Sequence, residues 1–177
     1  ALSQPQDLRN LGATAVWQSV SAPGVPANPL AAQRAGMRVT RQFFNLAGST
    51  LNLDDLHQNT VFILLVEGRA EDGQAHRATL MQGLPAGWEI AGRFSGGEVP
   101  GLSWLGKLSD TEAQPAADDR FAAVLALTAG KPDFRIAVRL RAVTPGVFEL
   151  PGAELADMYR PAIFARQNTG RITVLQP

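Results

Sequence analysis

The sequence predicts an all-β protein, an antiparallel β-sandwich with little helix. Three observations carry this. Apolar and polar residues alternate with a period of two in several stretches of six to ten residues. Gly and Pro clusters punctuate the chain between those stretches. No stretch holds a long 3.6-residue period. Many short strands separated by turns fit a sandwich and not alternating βα units.

Taken in order, residues 13–20 form a first, short strand candidate. Residues 21–35 read as a loop or linker, because three prolines there cannot serve a central ladder. Met37, Val39 and Phe43 alternate with Arg38, Thr40 and Gln42, with Arg41 a charged exception on the apolar face. Residues 53–57 suit a helical turn. Residues 61–70 begin apolar on both faces and end with Glu67 and Arg69, as in a strand leaving the core. Asp72-Gly73 is a hairpin signal. Residues 102–108 suit a second helical turn, and residues 112–117 an exposed loop. Residues 120–128 are apolar on both faces, which predicts a central strand. In residues 135–143, Ile136, Val138, Leu140 and Ala142 face one way and Arg135, Arg139 and Arg141 the other, predicting one buried and one wet face. Pro145-Gly146, Pro151-Gly152 and Thr169-Gly170 are further breaks, with a helical turn expected at 153–158 and a last strand at 171–175.

The length of 177 residues suits one domain with a short lead-in. A chain of that size buries roughly 70 % of the surface it exposes unfolded, so it needs no staples. Sixteen basic and sixteen acidic residues cancel. Nucleic-acid binders carry a basic excess, so no nucleic-acid partner is expected. The absence of cysteine removes disulfides, thiolate metal sites and cysteine nucleophiles together. The start Ala1-Leu2-Ser3 reads as a processed or excised chain.

No catalytic constellation stands out: there is no H-E-x-x-H, no phosphate-binding glycine loop and no G-x-S-x-G. Ser103, between Gly101 and Gly106, has the wrong spacing for a nucleophile elbow. His57, after Asp54-Asp55, and His76 read as exposed turn histidines, since a metal site needs three or four converging ligands. Asp118-Asp119 would point to opposite faces of a strand, so one is expected to cap a turn and the other to pair with an arginine. The Arg135, Arg139 and Arg141 stripe reads as a solvated face with acidic neighbours. Trp17, Trp88 and Trp104 are expected as core or inter-sheet fillers. No catalytic, cofactor-binding or metal residue is therefore expected.

The carboxyl-terminal half carries a family resemblance. Arg141-Ala142-Val143-Thr144-Pro145-Gly146-Val147-Phe148-Glu149-Leu150-Pro151, continued by Ala153-Glu154-Leu155-Ala156-Asp157-Met158-Tyr159-Arg160-Pro161, resembles a stretch near the C-terminus of bacterial α2-macroglobulins. Leu84-Pro85-Ala86-Gly87-Trp88, Leu102-Ser103-Trp104-Leu105 and Asp118-Asp119-Arg120-Phe121 are similar to further blocks of that family, in the same order. The likeness covers residues 35–177, the last macroglobulin-like domain (MG10-type), an immunoglobulin-like sandwich. Residues 1–34 resemble a lead-in strand and linker from the end of the preceding domain.

The resemblance implies a non-catalytic module of a periplasmic protease trap whose parent is anchored to the inner membrane. In such proteins a protease cuts a bait region, and a Cys–Gln thioester in a separate domain captures it. The implied partners are the thioester domain and other neighbours in the same parent chain, target proteases through the whole molecule, and a peptidoglycan-synthesis protein. A Met-Tyr pair covers the thioester where the family has one, and Met158 and Tyr159 match it. Pro151-Gly152 and Pro161 bracket that pair, so a surface loop with Tyr159 partly exposed is expected. The rival expectation is a free-standing β-sandwich binding module, of carbohydrate or adhesion type, which requires a tryptophan exposed on one face.

Overall fold

The computed structural model describes residues 9–19, 21 and 28–177. It contains twelve strands: β1 (Gln33–Ala35), β2 (Met37–Phe44), β3 (Leu56–His57), β4 (Val61–Ala70), β5 (His76–Gly83), β6 (Trp88–Arg93), β7 (Arg120–Leu127), β8 (Asp133–Ala142), β9 (Gly146–Leu150), β10 (Ala153–Asp157), β11 (Phe164–Arg166) and β12 (Gly170–Leu175). They form a five-stranded sheet β1-β11-β10-β5-β7, a four-stranded sheet β2-β4-β8-β6 and a three-stranded sheet β3-β12-β9. Every pairing is antiparallel except β12 with β3, where Val174 lies beside Leu56.

The sheets face one another across a continuous apolar core. The alternation in β8 sends Phe134, Ile136, Val138, Leu140 and Ala142 inward, and each is almost wholly buried. Phe62, Leu64 and Val66 of β4 and Ala78 and Leu80 of β5 join them with Phe121, Ala123 and Leu125 of β7. Trp88 closes one end, its ring edge-on to Phe62 at 4.8 Å between centroids. A fully buried side chain of this size contributes about 1.5–3 kcal/mol, so the core supplies most of the driving force.

Arg41 is the charged exception on β2 that the alternation predicts. It lies between the sheets and donates to Gln82 Oε1 (2.9 Å), to the Pro151 carbonyl and to the Asn168 carbonyl (3.3 Å). Burial lowers its pKa to about 10. Its bond to Gln82 Oε1 satisfies an acceptor of a fully buried side chain and ties β2 to β5 of the opposite sheet.

Several expectations need correction. The outer face of β8 is not simply wet: Ala137 is buried there with Ile63 and Leu65 of β4, beneath Leu102, Leu105 and Leu108 of the β6–β7 connection. That second cluster is why β4 is apolar on both faces. Residues 120–128 form an edge strand, not a central one. The free edge of that strand is partly paired by the backbone of Glu112–Ala113, which bonds Val124. Asp72-Gly73 does not close a hairpin. It carries the chain from β4 in one sheet to β5 in another, with Gly73 at φ 71°.

Of the three expected helical turns, only Ser103–Leu105 exists, as a single 3-10 turn. Residues 153–157 are strand β10, pairing with both β5 and β11. The expected loop at 21–35 ends early, because β1 begins at Gln33 and pairs with β11. The expected strand at 13–20 is absent from 13 to 19, and Val20 lies outside the described residues.

Candidate functional site

Met158 and Tyr159 sit at the tip of the β10–β11 hairpin, in the connection between Asp157 and Phe164. Both are on the surface: Met158 is 49 % exposed and Tyr159 72 % exposed. Pro161 interrupts any continuation of the ladder. Large apolar side chains held out at a hairpin tip lose burial energy, which another surface can recover.

The tip is held from beneath by a charged cluster. Asp157 ends β10 and is buried. Its Oδ1 accepts the backbone N–H groups of Tyr159 and Arg160, each at 2.8 Å. Its Oδ2 lies 2.8 Å from His76 Nδ1 and accepts from the Arg160 guanidinium at 3.0 and 3.2 Å. His76 opens β5, and its Nε2 is 2.7 Å from Asp72 Oδ1. Asp72 also accepts the Gln74 N–H, which shapes the turn that delivers it. Arg160 reaches on to the Ala75 carbonyl at 2.7 Å, and the Met158 N–H donates to the Arg77 carbonyl.

Burial alone would raise the Asp157 pKa. The N–H groups of Tyr159 and Arg160, the His76 ring and the Arg160 guanidinium outweigh it and hold the carboxyl well below the usual carboxylate range. The His76 hydrogen bond, then the Gln74 N–H, lower the Asp72 pKa. Arg77 beside the tip is raised, first by Glu112 and then by the Tyr159 hydroxyl.

His76 is therefore a buried histidine and not an exposed turn residue. Its two ring nitrogens face carboxylates from different elements, an arrangement for charge-assisted bonding. Among the described residues no group of His, Asp and Glu has the geometry to hold a metal ion.

The remaining candidates stay apart. His57 is exposed, 3.0 Å from the Gln176 carbonyl. Asp119 pairs with Arg120 at 3.3 Å. Two arginines of the stripe pair with acids as expected, Arg135 with Glu67 (3.0 Å) and Arg141 with Glu89, whereas Arg139 lies over the Phe94 ring. Trp88 is buried, and Trp104 packs on Phe44 while donating to the Leu46 carbonyl. Trp17 departs from expectation, being fully exposed in the lead-in.

Residues 36–162 match the family model described as the bacterial alpha-2-macroglobulin MG10 domain. The chain belongs to the bacterial α2-macroglobulin family. Across 94 % of its length it is 30 % identical to the alpha-2-macroglobulin of Xylella fastidiosa strain 9a5c. Against that of Escherichia coli K12 it is 26 % identical across 95 %. It spans only 11 % of each of those relatives' lengths.

Solved α2-macroglobulins share the fold. The Salmonella protein reacted with methylamine superposes with a TM-score of 0.75, at 23 % identity, covering 87 % of this chain and 10 % of that one. The native Escherichia coli protein from domain MG7 to the C-terminus gives 0.72, at 24 % identity, covering 87 % and 25 %. The α2-macroglobulin match spans β2 to the β10–β11 tip, so both Met158 and Tyr159 fall inside it.

Proposed function

We propose that this chain is the C-terminal, non-catalytic domain of a bacterial α2-macroglobulin protease trap, and that Met158 and Tyr159 dock on and shield the thioester of a neighbouring domain. The observation that carries the reading is the β10–β11 tip. Two large side chains stand out from the fold on a backbone fixed by buried hydrogen bonds. A dry apolar cover over a thioester excludes water and small amines. A flexible methionine beside an aromatic ring suits that task.

The division into a lead-in at 1–34 and a sandwich at 35–177 belongs to the same reading, as do a periplasmic location with an inner-membrane anchor and a peptidoglycan-synthesis partner. The rival binding-module reading requires an exposed tryptophan, which Trp17 supplies from the lead-in and not from the sandwich. Trp88 is buried and Trp104 is packed on Phe44, leaving Trp17 alone at the surface.

The test uses the full-length parent carrying its thioester. Met158→Ala combined with Tyr159→Ala is expected to speed methylamine-driven thiol release while this domain's melting temperature is unchanged. A double variant whose thioester resists methylamine as well as the wild type would refute the shielding role.

A further inference from the structure

We propose that Asp72 and Arg160 close on the buried His76 and Asp157 to form a charge clamp that sets the presentation of the β10–β11 tip, with His76 and Arg160 as positioning residues for Met158 and Tyr159. The inference rests on the reading of that tip as a docking element.

The clamp joins three parts of the chain. Asp72 lies in the β4–β5 connection, His76 at the start of β5, and Asp157 with Arg160 at the hairpin tip. His76 and Asp157 are 81 positions apart in sequence. Asp157 uses its two oxygens for different tasks. Oδ1 fixes the backbone of Tyr159 and Arg160, and so the direction in which the tip leaves β10. Oδ2 is held by His76 and Arg160, so the carboxylate cannot rotate away from those two N–H groups.

His76 links this to Asp72. Each ring nitrogen lies within hydrogen-bonding distance of one carboxylate, Nδ1 of Asp157 and Nε2 of Asp72. Arg160 Nη2 comes within 2.9 Å of Nδ1 while donating to Asp157 and to the Ala75 carbonyl. The other charged neighbour is Arg77, which pairs with Glu112 at 2.6 Å outside the clamp.

The four residues lie outside the apolar core cluster. What they determine is where Met158 and Tyr159 stand. Removing a donor from a buried carboxylate frees the tip without opening the core.

The experiment reads this chain directly. Hydrogen exchange at the Tyr159 and Arg160 amides reports on Asp157 Oδ1, and fluorotyrosine labels the chain's single tyrosine. His76→Gln is expected to lower protection at those two amides by roughly tenfold or more, and to move the fluorine resonance towards its denatured position. Amides of β4 and β8 are expected to keep their protection. Arg160→Gln serves where the buried histidine variant folds poorly, because Arg160 is partly exposed. It is expected to give the same pattern.

Unchanged protection at both amides in the folded Arg160→Gln chain would overturn the clamp, whatever the parent's thioester does. Lost protection with a methylamine-resistant thioester in the same variant of the parent would sustain the clamp and sink the shielding role.

Discussion

At the scale of single residues, the chain places a buried charge, Asp157, beneath two exposed large side chains, Met158 and Tyr159. Asp157 accepts from two backbone N–H groups, a histidine ring and a guanidinium. Stripping an acceptor from a buried charged network leaves its partners unpaired, so Asp157→Ala is expected to cost roughly 3–5 kcal/mol in urea denaturation. The folded-state pKa of Asp157 lies below its unfolded value. Its contribution is therefore present above the unfolded pKa, about 4, and is lost as pH falls below that towards the folded value. The wild type is expected to lose stability steeply below about pH 4, and Asp157→Asn to show a shallower decline. Equal slopes in the two proteins would contradict this account.

At the scale of elements, β4 and β8 carry the sandwich. Leu140 is wholly buried at the centre of β8, opposite Phe62. Leu140→Asp places an unpaired charge there, at a cost of several kcal/mol, and the chain is expected to lose its cooperative thermal transition. An unchanged melting temperature would mean that the inward face is misassigned. Gly68 makes a different demand on β4. A Cβ there would collide with the Arg38 carbonyl and the Phe134 ring, both fixed by the sheet. Gly68→Ala is expected to destabilise by about 1–3 kcal/mol, measured by the denaturation midpoint. The exposed Arg141–Glu89 pair on β8 and β6 makes no such demand, and its loss falls within about 1 kcal/mol.

At the scale of the whole molecule, the chain is a small part of its relatives, spanning 11 % of the Xylella protein. In the proposed trap the bait region and the thioester belong to other parts of the parent, and a chain without cysteine cannot supply a Cys–Gln thioester. The isolated chain is expected to leave trypsin or elastase activity unchanged at equimolar concentration. Stoichiometric inhibition by these 177 residues would overturn the proposed division of labour.

The strands and their buried faces were legible locally, because a period of two writes the inward face of a strand into adjacent residues. Ile136, Val138 and Leu140 needed nothing else, and Pro161 marked the tip that carries Met158 and Tyr159, whereas Pro151-Gly152 marks the turn from β9 into strand β10, which runs through the segment expected as loop. That period names no pairing partner. It could not show that residues 120–127 lie at an edge, nor that Asp72-Gly73 crosses between sheets. Residues 153–157 are too short for their period to separate a helical turn from a strand, and only pairing with β5 and β11 decides it. The outer apolar residues Ile63 and Leu65 acquire their reason only when the β6–β7 connection folds over them. The clamp shows the same division. Asp72 with His76 and Asp157 with Arg160 are local pairs visible in sequence, at four and three positions apart. Their convergence depends on β5 lying beside β10, a contact that hydrogen-bond registry across the sheet creates and that residue spacing does not encode.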